Sequence, residues 1–371
     1  MIIGFSDRSD FKRLAPVIAS CFLVAALLLT RMSRAATSQP SVAIGHLARL
    51  LVAPVHPPDQ PTVQVIRQSI PDCVQAIRVP VGPPPAVLAV VEVYPRKSPW
   101  CFARTASKSQ LAHQWTKTDF RIRGTVLLLP GYGLSKATLV PYAKALAKRD
   151  YLSVLVDLRA QGQSTGHHVG YGKQEAQDLV QLLHTLGKHG MIKRPLGILG
   201  ISYGAAVALD TAALDGQIDA VVAVAPFARV FSVVRRFVRV TDPELADQIS
   251  RSLLRSVIQQ AGKLLGYPLS KSDPIRWVPD IRAHVLYLAG NKDHIAPLRD
   301  IQQLVSRTPC AKIVVVSGAN HVALSFDTRL IEEKTFSWFH YYMRNRHLCH
   351  PATSSRQYLI SYWTRLFFNE K

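Results

Sequence analysis

The sequence predicts an α/β fold, with a mostly parallel central sheet flanked by helices. Three observations carry that expectation. From residue 121 onward, short β-branched apolar runs alternate with stretches of helical period, the pattern of parallel strands joined by helical crossovers. At 196–215 an apolar run, LGILGI, turns through Ser-Tyr-Gly directly into the small-residue stretch AAVALDTAAL, a strand, tight turn and helix in succession. Finally, the residues able to carry chemistry fall just after predicted strands, where open parallel sheets bind their ligands.

The chain has 371 residues and 48% hydrophobic content, enough for one large core with an insertion. Its formal charge of +21 is spread along the chain. Such a balance reads either as a solvated basic surface or as contact with an anionic membrane surface or acidic substrate. No nucleic-acid module and no metal-ligand cysteine spacing is present, so nucleic acid is not an expected partner.

Residues 1–36 read as a signal peptide or signal anchor. Lys12 and Arg13 precede the apolar run 14–30, and small residues follow up to Ala35, the order of a secretory signal. The run is just long enough to stay as an anchor. Either outcome places the rest outside the cytoplasm: periplasmic, secreted or membrane-anchored. Beyond Cys21 the chain holds Cys73, Cys101, Cys310 and Cys349, an even set that suits an oxidising compartment. Cys310 stands before the last strand, and the helix after that strand must run back towards the same edge. The expected pairs are therefore Cys310–Cys349 and Cys73–Cys101.

Residues 37–120 form an N-terminal extension with the first strands. PVHPPDQP and VPVGPPP are loop or extended punctuation, because proline fits neither helix interiors nor central strands; 87–95 is an early strand. The main domain is 121–345. Strands are predicted at 124–130, 152–159, 196–201, 220–226, 284–290 and 312–318, and helices at 137–149, 174–188 and after the Ser-Tyr-Gly turn. Between 227 and 280 the alternation breaks into two or three helices, a lid insertion made basic by Arg229, Arg235, Arg236, Arg239, Arg251 and Arg255. Most of these read as a solvated helix face; recognition of an anionic group is the sharper alternative. The tail 346–371 is aromatic, and reads as an extra packed helix or an interfacial membrane contact.

A serine hydroxyl needs a base to take its proton, and the base needs a carboxylate to hold its tautomer. Ser202 lies at the tip of Gly-Ile-Ser-Tyr-Gly. Flanking glycines let the strand and helix pass closely while the side chain is raised. Asp293 follows the strand HVLYLAG, and His321 follows KIVVVSG. His294 competes with His321, but it precedes the last strand. The catalytic candidates are thus Ser202, Asp293 and His321, in the chain order Ser, acid, His.

Taken with these residues, four blocks of 124–344 resemble the α/β-hydrolase superfamily of serine hydrolases, in the style of esterases, lipases and serine-aminopeptidase-like enzymes. Besides the Ser202 turn, they are LLLPGYGLS at 127–135, DLRAQGQSTG at 157–166, and the pair GNKD and GANH. The first resembles an oxyanion loop, with Pro130 where the family has His. The resemblance implies an α/β-hydrolase fold and backbone N–H donors at Tyr132 and Tyr203. It also implies loop-fixing roles for Asp157, Arg159, Gly162 and Ser164, with Ala160 where glycine is usual. It requires no metal or organic cofactor. The expected activity is hydrolysis of a carboxylic ester, of a small molecule or a lipid, through an acyl-enzyme on Ser202. A peptidase or acyltransferase on the same triad is the second reading, and a non-catalytic envelope-binding protein the third.

Overall fold

Runs of Val, Leu, Ile and Ala with no polar interruption can form strands only where both faces are covered. In the computed structural model, which describes residues 40–56, 63–70, 73–95, 98, 101, 122–345 and 349, such runs build the centre of an eight-stranded sheet. The parallel strands are β3 (Thr125–Leu129), β4 (Leu152–Val156), β5 (Leu196–Ile201), β6 (Ala220–Val224), β7 (His284–Gly290) and β8 (Ala311–Val316). Every residue of β3, β4, β5 and β6 is buried. Ahead of them, β1 (Val74–Val81) and β2 (Ala86–Val93) pair antiparallel, and β2 adds antiparallel to β4. Pro80 lies in β1, the edge strand whose burial alternates; an edge is where a sheet tolerates proline. The upstream strands thus join the same sheet as the main domain.

The order β1-β2-β4-β3-β5-β6-β7-β8 reverses direction between β3 and β5. Ligands bind beyond the carboxyl ends of strands at such a switch point. Register aligns those ends: Leu129 lies opposite Gly200, Ile201 opposite Val224, and Gly290 opposite Val316. The segments after β3, β5, β7 and β8 therefore emerge along one edge.

The helices are α1 (Pro40–Leu51), α2 (Val63–Ser69), α3 (Val140–Ala147), α4 (Lys173–Lys188), α5 (Tyr203–Leu214), α6 (Val230–Thr241), α7 (Pro243–Gln248), α8 (Arg251–Leu265), α9 (Leu298–Arg307), α10 (His321–Ser325) and α11 (Thr328–Asn345). The region 227–280 is thus three α-helices followed by short 3-10 turns. Local chemistry sets their ends. Asp242 accepts the Leu245 N–H at 2.9 Å and Ser250 the Leu253 N–H at 3.1 Å, capping α7 and α8. Gly266, at φ 77°, closes α8 in the left-handed conformation. α1 was not legible in the sequence, where prolines on its C-terminal side dominate the pattern.

Disulfides join Cys73 to Cys101 and Cys310 to Cys349, with Cα separations of 4.8 and 5.7 Å, the pairing expected from the sequence. Residues 1–36 and the aromatic tail 350–371 lie outside the described residues. Among those described, no helix is long and apolar enough to cross a membrane.

Candidate active site

The turn after β5 is built by two glycines. A Cβ on Gly200 would collide with the backbone of Gly204, and one on Gly204 with the carbonyls of Leu129 and Pro130. Only hydrogen fits where β5, α5 and β3 pass. Ser202 sits between them at φ 52° and ψ −109°, a positive φ rare for a non-glycine residue. Its N–H donates to the Val224 carbonyl at 2.7 Å, which holds the turn in place.

Three side chains from three strand ends meet here. Ser202 Oγ lies 2.8 Å from His321 Nε2, and His321 Nδ1 lies 2.7 Å from Asp293 Oδ2. The second carboxylate oxygen, Asp293 Oδ1, accepts the N–H groups of Ile295 at 2.8 Å and Ala296 at 2.7 Å. Those two amides fix the carboxylate and compensate its burial. The Asp293 side chain is fully enclosed, whereas that of His321 keeps 15% of its surface exposed. His321 is the first residue of α10, whose cap Asn320 accepts the Ala323 N–H at 2.9 Å. The β7 and β8 loops are clasped together: Asn291 Oδ1 accepts the Gly318 N–H at 2.7 Å. His294 is exposed and forms no part of this chain.

The loop after β3 lies against the serine. A Cβ on Gly131 would stand 3.8 Å from Ser202 Cβ. The residues beside Tyr132 are anchored, Gly133 N–H donating to Gln161 Oε1 at 2.9 Å and Leu134 N–H to the Gly131 carbonyl at 3.1 Å. Tyr203 opens α5, and the first N–H groups of a helix have no intrahelical acceptor. The Tyr203 hydroxyl donates to Glu175 Oε1 at 2.8 Å and accepts the Tyr171 N–H at 3.0 Å. Glu175 also accepts the Gly170 and Gly172 N–H groups at 2.6 and 3.0 Å. No motif marks this buried carboxylate in the sequence; Gln161, behind the loop, lies within the 157–166 block, whose resemblance implies no role for it.

Asp157 organises the loop after β4. Its carboxylate accepts the Lys136 N–H at 2.7 Å and the Gln163 N–H at 2.8 Å, and forms a buried ion pair with Lys136 Nζ. Arg159 makes a bidentate pair with Asp178, both bonds at 2.7 Å. Ser164 Oγ donates to the Asp157 carbonyl at 2.6 Å. A Cβ on Gly162 would strike the Asp157 carboxylate. These residues hold loops in place, and none of them hydrogen-bonds to Ser202.

Above Ser202 opens a cavity of about 270 Å³. Val234, Phe237 and Leu254 from the inserted helices, Leu50 from α1, and Tyr132 and Phe227 line it among other apolar groups. Its ionisable lining consists of His321, three tyrosines and the cations Arg235, Arg239 and Arg251, with no carboxylate among the described residues. Burial pushes the Tyr132 hydroxyl up to about 12 and Tyr203 well above the ordinary value, so both stay protonated at neutral pH. Of the six basic insertion residues, Arg236 pairs with Asp300 and Arg239 with Asp247, each at 2.6 Å. Arg229 bonds Gln303, and Arg255 lies over the Phe231 ring. Among the described residues no group able to hold a metal ion was found.

Residues 126–333 match a family model described as the alpha/beta hydrolase family. No curated protein matches the chain. Among solved structures, the esterase Pf2001 of Pyrococcus furiosus superposes with a TM-score of 0.57 at 17% identity, covering 79% of this chain and 98% of that one. A 2,6-dihydroxy-pseudo-oxynicotine hydrolase gives 0.56 at 13% identity, covering 84% and 83%. The α/β hydrolase GrgF of Penicillium sp. sh18 gives 0.52 at 18% identity, covering 73% and 99%. At such identities these likenesses show the fold alone.

Proposed function

The chain belongs to the alpha/beta hydrolase family, and from that premise we propose that it is a serine hydrolase cleaving carboxylic esters with an apolar acyl group. The observation that carries this reading is the unbroken hydrogen-bond chain from Ser202 Oγ through His321 to Asp293, opening into an apolar cavity. In it, Asp293 holds His321 with Nδ1 protonated, which leaves Nε2 free to take the Ser202 proton as Oγ attacks the acyl carbon. The N–H groups of Tyr132 and Tyr203 receive the developing oxyanion, each such donor contributing about 2.7–4 kcal/mol. His321 returns the proton to the departing alcohol, then activates a water that releases the acid.

The lining supports an ester over an N-terminal peptide bond. An α-ammonium group in this cavity would meet arginines and no carboxylate among the described residues, and an unpaired buried charge is strongly disfavoured. The two disulfides support an exported enzyme. The basic charge supports contact with an anionic membrane surface.

A fluorophosphonate probe tests the central claim. Covalent labelling of the folded protein at Ser202, absent in Ser202→Ala, is expected; wild-type protein that stays unlabelled and turns over no ester overturns it.

A further inference from the structure

The family match begins at residue 126, yet one wall of the cavity over Ser202 comes from far upstream. Leu47, Leu50 and Leu51 of α1 line the cavity. Their spacing of three and four residues sets them on one helical face, and α1 packs along α8 of the insertion. Leu47 is buried in the main core, while Leu50 is only half-buried.

The end of α1 and the segment following it are tied down through their backbone groups. The Leu51 carbonyl accepts the Tyr171 hydroxyl at 3.0 Å, and the Val52 carbonyl accepts the Val169 N–H at 3.0 Å. These are terminal helix carbonyls that otherwise lack partners. Val55 then bridges the loop after β4, its N–H donating to Ala160 at 2.7 Å and its carbonyl accepting Gly162 N–H at 3.2 Å. Gln161, the residue between, is the one that holds Gly133 beside Tyr132. The wall and the proposed oxyanion loop therefore share one anchor, so α1 is held in a fixed place relative to Ser202.

We infer that α1 is a specificity-determining wall of the acyl site, and that Leu50 on it sets the length of acyl chain the site accepts. The inference rests on the ester-hydrolase reading for its substrate and on the cavity geometry for its location. An apolar pocket discriminates chain length by the volume left to the last methylenes, and one methylene can change kcat/KM about tenfold or more. A larger residue at 50 shortens the accepted chain, and a smaller one lengthens it.

The test compares Leu50→Trp and Leu50→Ala in the full chain, with p-nitrophenyl esters from acetate to palmitate. The ratio of kcat/KM for decanoate over acetate is expected to fall about tenfold in Leu50→Trp. In Leu50→Ala the optimum is expected to move to longer chains. Calorimetric binding of free decanoate reads the cavity without the reaction, and is expected to weaken in Leu50→Trp. Wild-type chain-length profiles in folded variants, or unchanged decanoate binding, overturn the inference while leaving the hydrolase reading standing. Absence of any ester turnover, with decanoate binding still controlled by residue 50, removes the hydrolase reading and leaves the wall.

Discussion

Ser202 holds a φ of 52°, a conformation that costs on the order of 1–3 kcal/mol for a residue with a side chain. The cost is tolerated because the Val224 carbonyl and the Gly200–Gly204 crossing leave the turn no alternative path. Ser202→Ala keeps that backbone, so its melting temperature is expected to stay near wild type while kcat falls by about 10⁶, as in other triads. Asp293→Asn keeps the shape but favours the wrong His321 tautomer. A loss of about 10⁴ in kcat with unchanged circular dichroism is expected, and full activity in that variant removes Asp293 from the mechanism. Elsewhere, Glu92 is buried in β2, and burial raises its carboxyl to about 7 against the bond from the Tyr94 hydroxyl. The folded state binds this proton more tightly than the unfolded chain, so stability is lost as pH rises from about 4.5 towards 7. Glu92→Gln is expected to raise stability at pH ~8 by up to about 3 kcal/mol, the two proteins converging near pH ~4, measured by urea unfolding.

At the scale of elements, the loops after β3 and β4 are fixed by buried polar residues. The Lys136–Asp157 pair joins the loop after β3 to that after β4, with side chains only 2% and 0% exposed. Lys136→Met leaves the Asp157 carboxyl group buried, with only backbone N–H partners. A loss of about 3–5 kcal/mol in unfolding free energy is expected, together with a lower kcat as the Tyr132 loop loosens. Unaltered stability would mean that water reaches Asp157. The crossing of β5, α5 and β3 is equally strict. Gly204→Val would drive a branched side chain into the Leu129 and Pro130 carbonyls, and failure to fold, or a loss of about 3 kcal/mol, is expected on thermal unfolding.

Across the whole molecule, the two disulfides close the chain over separations of 28 and 39 residues, each stabilising by about 4 kcal/mol in the chain-entropy model. One ties the entry of β1, the other the entry of edge strand β8, to segments outside the sheet. Reduction is expected to lower the melting temperature without quenching fluorophosphonate labelling at a temperature where the fold survives. The elements that wall the cavity also expose apolar groups: Val42 on α1 is 57% exposed and Val240 on α6 47%. Arg235 on α6 and Arg251 on α8 stand exposed in the cavity wall. Flotation of residues 37–371 with anionic liposomes at low salt, reversed at high salt, is the expected signature of surface contact; protein that stays unbound removes the membrane from its partners.

Local pattern was enough to read the parallel strands, the Ser202 turn and the order Ser, acid, His, because each rests on short-range physics. A strand buried on both faces must be mostly apolar, a tight crossing must be glycine, and a parallel strand must release its loop at one edge. Short-range physics says nothing of residues that meet across the chain. α1 reaches the cavity from about eighty residues upstream of the family match, Glu175 meets the Tyr203 hydroxyl, and Gln161 and Asp157 hold backbone N–H groups of the loop after β3. The chain alone determined how its candidate chemistry is ordered. Only the tertiary structure decided the shape of the space above Ser202, because that space is bounded by side chains no single segment brings together.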